Sequence, residues 1–155
     1  MIAAVFADLP SIYTAVKKKF QSKVDYGKIL NHIQNDQLSN DTIIRAIAYS
    51  AQSENEALNF SFALKHLGYI PKFTNGKDFH VDFCLDVTMI SNKIQKAVFI
   101  TNDINYQSLF KWCKNAGIYV HLFCVQEHEF VDYDELTEIT QKFLELNQDE
   151  ITKTT

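Results

Sequence analysis

Asp8, Asp82, Asp86 and Asp103 are the residues whose type and spacing point to chemistry. Asp8 closes the apolar run Ile2–Ala7, and Asp103 lies in Thr101-Asn102-Asp103-Ile104-Asn105, directly after another apolar run. Both carboxylates therefore fall at strand ends. Asp82 and Asp86 are four residues apart and share one side of a helix. At about 100° per residue, Asp86 stands about 60° and Asp82 about 100° from the middle of the apolar stripe Phe83, Val87, Ile90 and Ile94. Carboxylates gathered at a half-buried edge repel each other and desolvate poorly, so such a set calls for a cation. Hard divalent ions such as Mg²⁺ or Mn²⁺ want oxygen ligands of this kind and activate water for attack on phosphorus. Singly, each aspartate is an ordinary N-cap, turn residue or solvated helix position; the combination is what points to a metal site.

Positioning these groups takes a sheet. Short apolar runs alternate with longer amphipathic stretches, the pattern of βαβ units in an α/β fold with a mainly parallel sheet. Five runs read as strands: Ile2–Ala7, Ile43–Tyr49, Ile70–Phe73, Ala97–Thr101 and Ile118–Val125. Helices are expected over 11–22, 26–35, 54–66, 79–94 and 105–115, with a last one near 133–146. Pro10 suits a first helical turn, and Gly68 and Gly117 suit helix stops. In such a sheet ligands bind beyond the carboxyl ends of the strands, where Asp8 and Asp103 are expected.

The 155 residues suit one domain, and 46% hydrophobic with 22% charged residues excludes collagen-like, coiled-coil and disordered classes. The net charge of −4 hides an asymmetry: residues 1–125 hold 13 basic and 10 acidic residues, residues 126–155 hold 2 and 9. With the four site aspartates committed to a cation, the first region becomes a basic body able to meet nucleic acid. Cys84, Cys113 and Cys124 are odd in number and widely spaced, which fits a reducing cytoplasm and neither a disulfide framework nor a zinc ribbon. The opening segment lacks the basic start of a signal peptide and reaches Asp8 too soon to span a membrane, so no membrane partner is expected.

Other chemistries find no support in the residues. Asp8-Leu9-Pro10-Ser11 offers no glycine-rich dinucleotide turn, and neither a phosphate-cradling loop nor a Gly-x-Ser-x-Gly elbow occurs. His80 stands two residues before Asp82, where it reads as an acid, a phosphate contact or a plain helix-start residue. Lys17-Lys18-Lys19, Lys23, Lys28 and Lys77 are candidates for phosphate contact, although three consecutive lysines cannot all face one ligand. A single arginine, Arg45, implies weak, salt-sensitive binding. Tyr13, Tyr26 and Tyr106 are aromatic enough to stack on unpaired bases, or simply to pack.

Taken together, Val5-Phe6-Ala7-Asp8, Val24-Asp25-Tyr26-Gly27-Lys28, Leu67-Gly68-Tyr69-Ile70-Pro71, Val81-Asp82-Phe83-Cys84-Leu85-Asp86 and Val98-Phe99-Ile100-Thr101-Asn102-Asp103-Ile104-Asn105-Tyr106 resemble, in order and spacing, the NYN domain of the PIN-like ribonuclease superfamily. The resemblance implies a Rossmann-like three-layer α/β/α sandwich with a five-stranded sheet. It places the nuclease-like domain at residues 1–125 and leaves 126–155 as an acidic C-terminal helix and tail packed on it. It implies hydrolysis of RNA phosphodiester bonds with Mg²⁺ or Mn²⁺ as cofactor, and the three tyrosines suit RNA in single-stranded form as the partner. Asp8, Asp82 and Asp103 become the leading ligands, Asp86 a further ligand or support, and Asn105 a group polarising the attacking water. Ser11, Thr101, Lys17 and Lys77 become substrate contacts. The chain departs from the family pattern: Asp8-Leu9-Pro10-Ser11 stands for Asp-Gly-x-Asn, Thr101-Asn102-Asp103-Ile104-Asn105-Tyr106 for Ser-Gly-Asp-Ser-Asp-Phe, and Phe79-His80 for a lysine-glycine. An amide at Asn105 lacks the negative charge of the aspartate it replaces, so a noncatalytic RNA-binding or protein-interaction module is the alternative reading.

Overall fold

The computed structural model describes residues 1–53, 55–74, 79–125 and 138–153. Its elements run β1 (Ile2–Asp8), α1 (Leu9–Phe20), α2 (Tyr26–His32), β2 (Thr42–Ser50), α3 (Leu58–Leu67), β3 (Ile70–Phe73), α4 (Phe79–Ile90), β4 (Lys96–Ile100), α5 (Gln107–Asn115), β5 (Tyr119–Cys124), β6 (Lys142–Glu145) and α6 (Gln148–Ile151). The strands form one sheet in the order β3-β2-β1-β4-β5-β6, with every neighbouring pair parallel. The order reverses between β1 and β4, which makes their carboxyl ends the switch point where such folds bind ligands.

Alternation along the central strands builds both faces. Phe6 and Phe99 point into a core shared with Phe83 and Val87 of α4 and Phe110 of α5. Val5, Ala7, Val98 and Ile100 point the other way, onto Ile12 and Val16 of α1 and Leu30 of α2. Buried on both sides, these strands have no polar face, which is why they read in sequence as continuous apolar runs. Gly68 ends α3 at φ 105°, a conformation that a side chain would strain.

Three differences from the sequence reading have physical causes. The sheet has six strands rather than five, because Lys142–Glu145 pairs with the open edge of β5 where a helix was expected to run. The backbone groups of His121–Cys124 need partners, and that demand overrides the local helical pattern. The part of the expected helix at 133–137, like Lys77, lies outside the described residues. Second, α3 starts at Leu58 rather than 54: Ser53 Oγ accepts the Glu56 N–H at 3.2 Å and Ser50 Oγ accepts that of Gln52 at 3.3 Å, holding the preceding segment in turns. Third, the expected helix 79–94 is α4 plus one 3₁₀ turn at Ser91–Lys93. Among the described residues no helix is long and apolar enough to cross a membrane.

At the opposite end of the sheet, His121 on β5 sits near the Lys96–Asp41 ion pair and Lys142. Burial first, then the two lysines, push its pKa down to about 4, against a weaker opposing pull from Asp41. The unfolded imidazole takes up a proton near pH 6.5 and the folded one does not, so stability falls as pH drops from about 6.5 to 4. Urea unfolding of His121→Gln should lose part of that acid-limb slope; an unchanged slope would mean other groups carry it.

Candidate functional site

The site begins with register. Ala7 pairs with Ile100 across β1 and β4, so Asp8 and Thr101 come next to each other at the two strand ends. Thr101 Oγ1 donates to Asp8 Oδ2 at 2.9 Å, and Asp8 Oδ1 accepts the Ser11 N–H at 3.3 Å, so Asp8 also caps α1. Ser11 ties the two strand ends together: its Oγ lies 3.2 Å from Thr101 Oγ1 and accepts the Asn102 N–H at 3.0 Å. Asp103 follows, its N–H donating to Thr101 Oγ1 at 3.0 Å and its Oδ1 accepting the Asn105 N–H at 2.9 Å. The departures from the family motif thus have local work: Ser11 and Asn102 lock β1, β4 and β5, Asn102 Oδ1 accepting the Val125 N–H at 2.6 Å.

Asp8 is 1% exposed, and among the described residues no Lys, Arg or His pairs with it. Burial raises its pKa, opposed by the Thr101 and Ser11 hydrogen bonds and reinforced by the charge of nearby Asp103. Both carboxylates line a cleft of about 410 Å³ whose wall also carries Ser11, Thr14, Lys18 and His80. His80 Nδ1 stands 2.6 Å from the Tyr106 hydroxyl and 3.9 Å from Asp103 Oδ2.

The helical pair behaves differently. Asp86 accepts two bonds from Lys72 Nζ, each 2.8 Å, and one from Tyr49 OH at 2.9 Å, so its charge is spent between α4, β3 and β2. That arrangement pushes the Tyr49 hydroxyl pKa far up, burial first and Asp86 second. Asp82 is half-buried, lies close enough to influence Tyr49, and has no hydrogen-bond partner among the described residues. The four carboxylates expected to converge do not do so: among the described residues no three His, Cys, Asp or Glu side chains stand close enough to hold an ion by themselves. Asp8 and Asp103 are brought together, whereas Asp86 is turned to Lys72. Asn105 is exposed and steadies Asp103 through its backbone N–H. Asp86→Asn should lower stability by about 0.5–1.5 kcal/mol by weakening these bonds, read as a denaturant midpoint, with the cleft network untouched.

Two carboxylates suit Mg²⁺ or Mn²⁺, which commonly take one or two protein carboxylates and fill the other positions with water and phosphate. The uncompensated, buried Asp8 beside Asp103 fits such an ion. The three lysines of α1 diverge: Lys17 Nζ lies 5.9 Å from the Tyr13 ring centroid, Lys18 lines the cleft, and Lys19 bonds Val125 O and pairs with Glu145 on β6. The sequence reading offered Lys17-Lys18-Lys19 as phosphate contacts and singled out Lys17, whereas it is Lys18 that lines the cleft; the His80–Tyr106 coupling it missed. Only the closeness of His80 to Asp82 hinted at the latter.

A family model described as NYN domain matches residues 2–147. The chain belongs to the NYN domain family. Domains of this family are generally nuclease-type, RNA-associated and typically dependent on divalent metals. No curated protein sequence matches this one. In fold, this NYN domain is similar to the crystal structure of VPA0982 from Vibrio parahaemolyticus, a protein of unknown function. The two are 16% identical with a TM-score of 0.78, over 97% of this chain and 95% of that one. A dehydrogenase, MviM from Clostridium difficile, is 10% identical over 89% of this chain and 34% of its own, with a TM-score of 0.44.

Proposed function

We propose that this NYN domain hydrolyses RNA phosphodiester bonds at the Asp8–Asp103 cleft. One observation carries the reading: a buried aspartate without a cationic partner among the described residues, next to a second aspartate, at the sheet's switch point. Leaving a carboxylate there costs stability unless a cation compensates it. Asp8 and Asp103 would hold Mg²⁺ or Mn²⁺, with Asp82 the remaining carboxylate on the α4 side and Asp86 acting at a distance by fixing α4 to Lys72 and Tyr49. A divalent ion bound there supplies positive charge against phosphate oxygens and acidifies water.

The chain's own groups do the rest. Thr101 and Ser11 fix the Asp8 carboxylate, and the backbone of Asn105 fixes that of Asp103. Lys18 attracts the phosphate at the cleft wall. His80, held at Nδ1 by Tyr106, is placed to pass a proton to the leaving oxygen. Asn105 keeps the part of polarising water, and Lys17 and Lys77 that of meeting phosphate, each to be tested by substitution; Thr101, fully buried with its hydroxyl on Asp8, acts through that carboxylate rather than on phosphate. A second reading, binding without cleavage, is favoured by one observation: Asp86 is engaged by Lys72, which leaves the carboxylate set small.

The deciding experiment incubates the full chain with labelled single-stranded RNA in Mg²⁺, Mn²⁺ or EDTA. Divalent-dependent cleavage lost in Asp103→Asn supports hydrolysis. Binding with no cleavage in either metal replaces it with the second reading.

A further inference from the structure

A second cavity opens on the other side of the first turn of α1. Asp8 lines the acidic cleft, the next residue, Leu9, lines this groove, and Pro10 lines both, so the two are contiguous. The groove encloses about 950 Å³, at the upper end of the roughly 300–1,000 Å³ typical of ligand sites. Its floor is aromatic and its rim carries amides. Tyr13 is 52% exposed, and the Tyr26 ring is braced against Phe60 at 5.5 Å between centroids. Gln52 and Asn59 are exposed, each able both to donate and to accept. Ala51, Gln52 and 55–57 form the far wall, with Ser50 Oγ accepting the Gln52 N–H and Ser53 Oγ that of Glu56 before α3 begins.

This lining differs from that of the cleft. Carboxylates with a cation suit a phosphate; exposed rings with amides suit the planar face and polar edge of a nucleobase. Lys23 lines the groove and Lys17 Nζ lies near the Tyr13 ring, so phosphate-seeking charge accompanies the aromatic surface. A base within a duplex is stacked on both sides and offers only its edges, so a ring platform of this kind selects an unpaired one.

We propose that the groove is a base-binding subsite for an unpaired nucleotide adjoining the phosphate in the acidic cleft, with Tyr13 as its stacking platform and Gln52 and Asn59 contacting the base edge. The inference rests on the reading of the cleft as the phosphate site and gives a single-stranded substrate the surface that would hold its base. It also explains an aromatic residue left half in solvent on the turn that follows the site aspartate.

The test measures fluorescence anisotropy of a labelled oligouridylate of about eight nucleotides, within the ~4–16 nucleotide span of common single-strand sites, bound to the full chain at low salt in Ca²⁺. Tyr13→Ala should weaken binding about 5- to 100-fold, as expected for loss of one stacked base, while Tyr13→Phe keeps it near wild type. A duplex of the same length should compete poorly. Wild-type binding that Tyr13→Ala and Asn59→Ala leave unchanged, alongside cleavage that needs Asp103, overturns the groove assignment and leaves the cleft reading standing. Weakened binding in Tyr13→Ala with no cleavage by the wild type supports the groove and overturns hydrolysis. No single-strand binding by the wild type overturns both.

Discussion

Asp8→Asn should melt at a higher temperature than the wild type in EDTA at pH 7, while losing divalent-dependent RNA cleavage by at least about 100-fold, the upper range for loss of groups that merely support a metal ligand. The two effects have one cause. Burial raises the Asp8 pKa in the folded state, and Asp103 adds to it. A folded carboxyl with a raised pKa contributes stability below its unfolded pKa and loses it as pH rises through the folded value. At neutral pH the metal-free wild type bears that cost. Asparagine does not, and it remains a good cap for α1. Adding Mg²⁺ should reverse the ranking. At about 100 times the dissociation constant, a ligand of the folded state adds about 2.7 kcal/mol, or roughly 5–10 °C for a chain of this size. That shift should appear in the wild type by scanning fluorimetry and vanish in Asp8→Asn. Equal Mg²⁺ shifts in both proteins would remove Asp8 from the metal site.

Ending the chain at Gln141 should abolish cooperative unfolding. The lost segment supplies β6, and with it the Leu146 N–H to Cys124 carbonyl bond at 2.8 Å. It then crosses to the start of α2, where Asp25 N–H donates to Ile151 O at 2.8 Å, Lys153 N–H donates to Lys23 O at 3.0 Å, and Val24 bridges Thr152. Leu146 and Ile151 are both buried in the core face that holds Leu30 and Ile12. Their burial is worth about 1.5–3 kcal/mol each, a large share of a total that is commonly about 5–15 kcal/mol. Circular dichroism melting reports the outcome, and Ile151→Ala, expected to cost about 2–5 kcal/mol, gives a graded version that still folds. A sharp wild-type-like melt for the truncated chain would show that the last strand is dispensable.

The central strands were legible in the sequence because burial on both faces leaves continuous apolar runs such as Ala3-Ala4-Val5-Phe6-Ala7, which few other environments tolerate. That Asp8 and Asp103 share one edge followed from two such runs ending there; the contact of Asp8 with Thr101 needed the register of β1 and β4. Helical periodicity was equally right that Asp82 and Asp86 flank a buried stripe, and Phe83, Val87 and Ile90 are buried as it requires. It could not place Lys72 opposite Asp86, because that pairing depends on where β3 lies in the sheet. For the same reason β6 escaped notice: four residues, Lys142–Glu145, carry too little pattern to outweigh their helical surroundings, and the unpaired edge that recruits them belongs to β5. The groove was invisible for a third reason, since it is made by the absence of helix before Leu58.

The sheet order also sets a schedule. The first strand made becomes a central one, and its neighbour β4, which carries the other half of the cleft, is separated from it by most of the chain: Thr101 and Asp8 are 93 residues apart. Contacts of such long range form late, after their loop entropy has been overcome. During synthesis Asp8 therefore emerges long before Asp103, and β6, which completes the far edge, emerges after both. The cleft therefore cannot assemble until β4 has been made and has paired with β1.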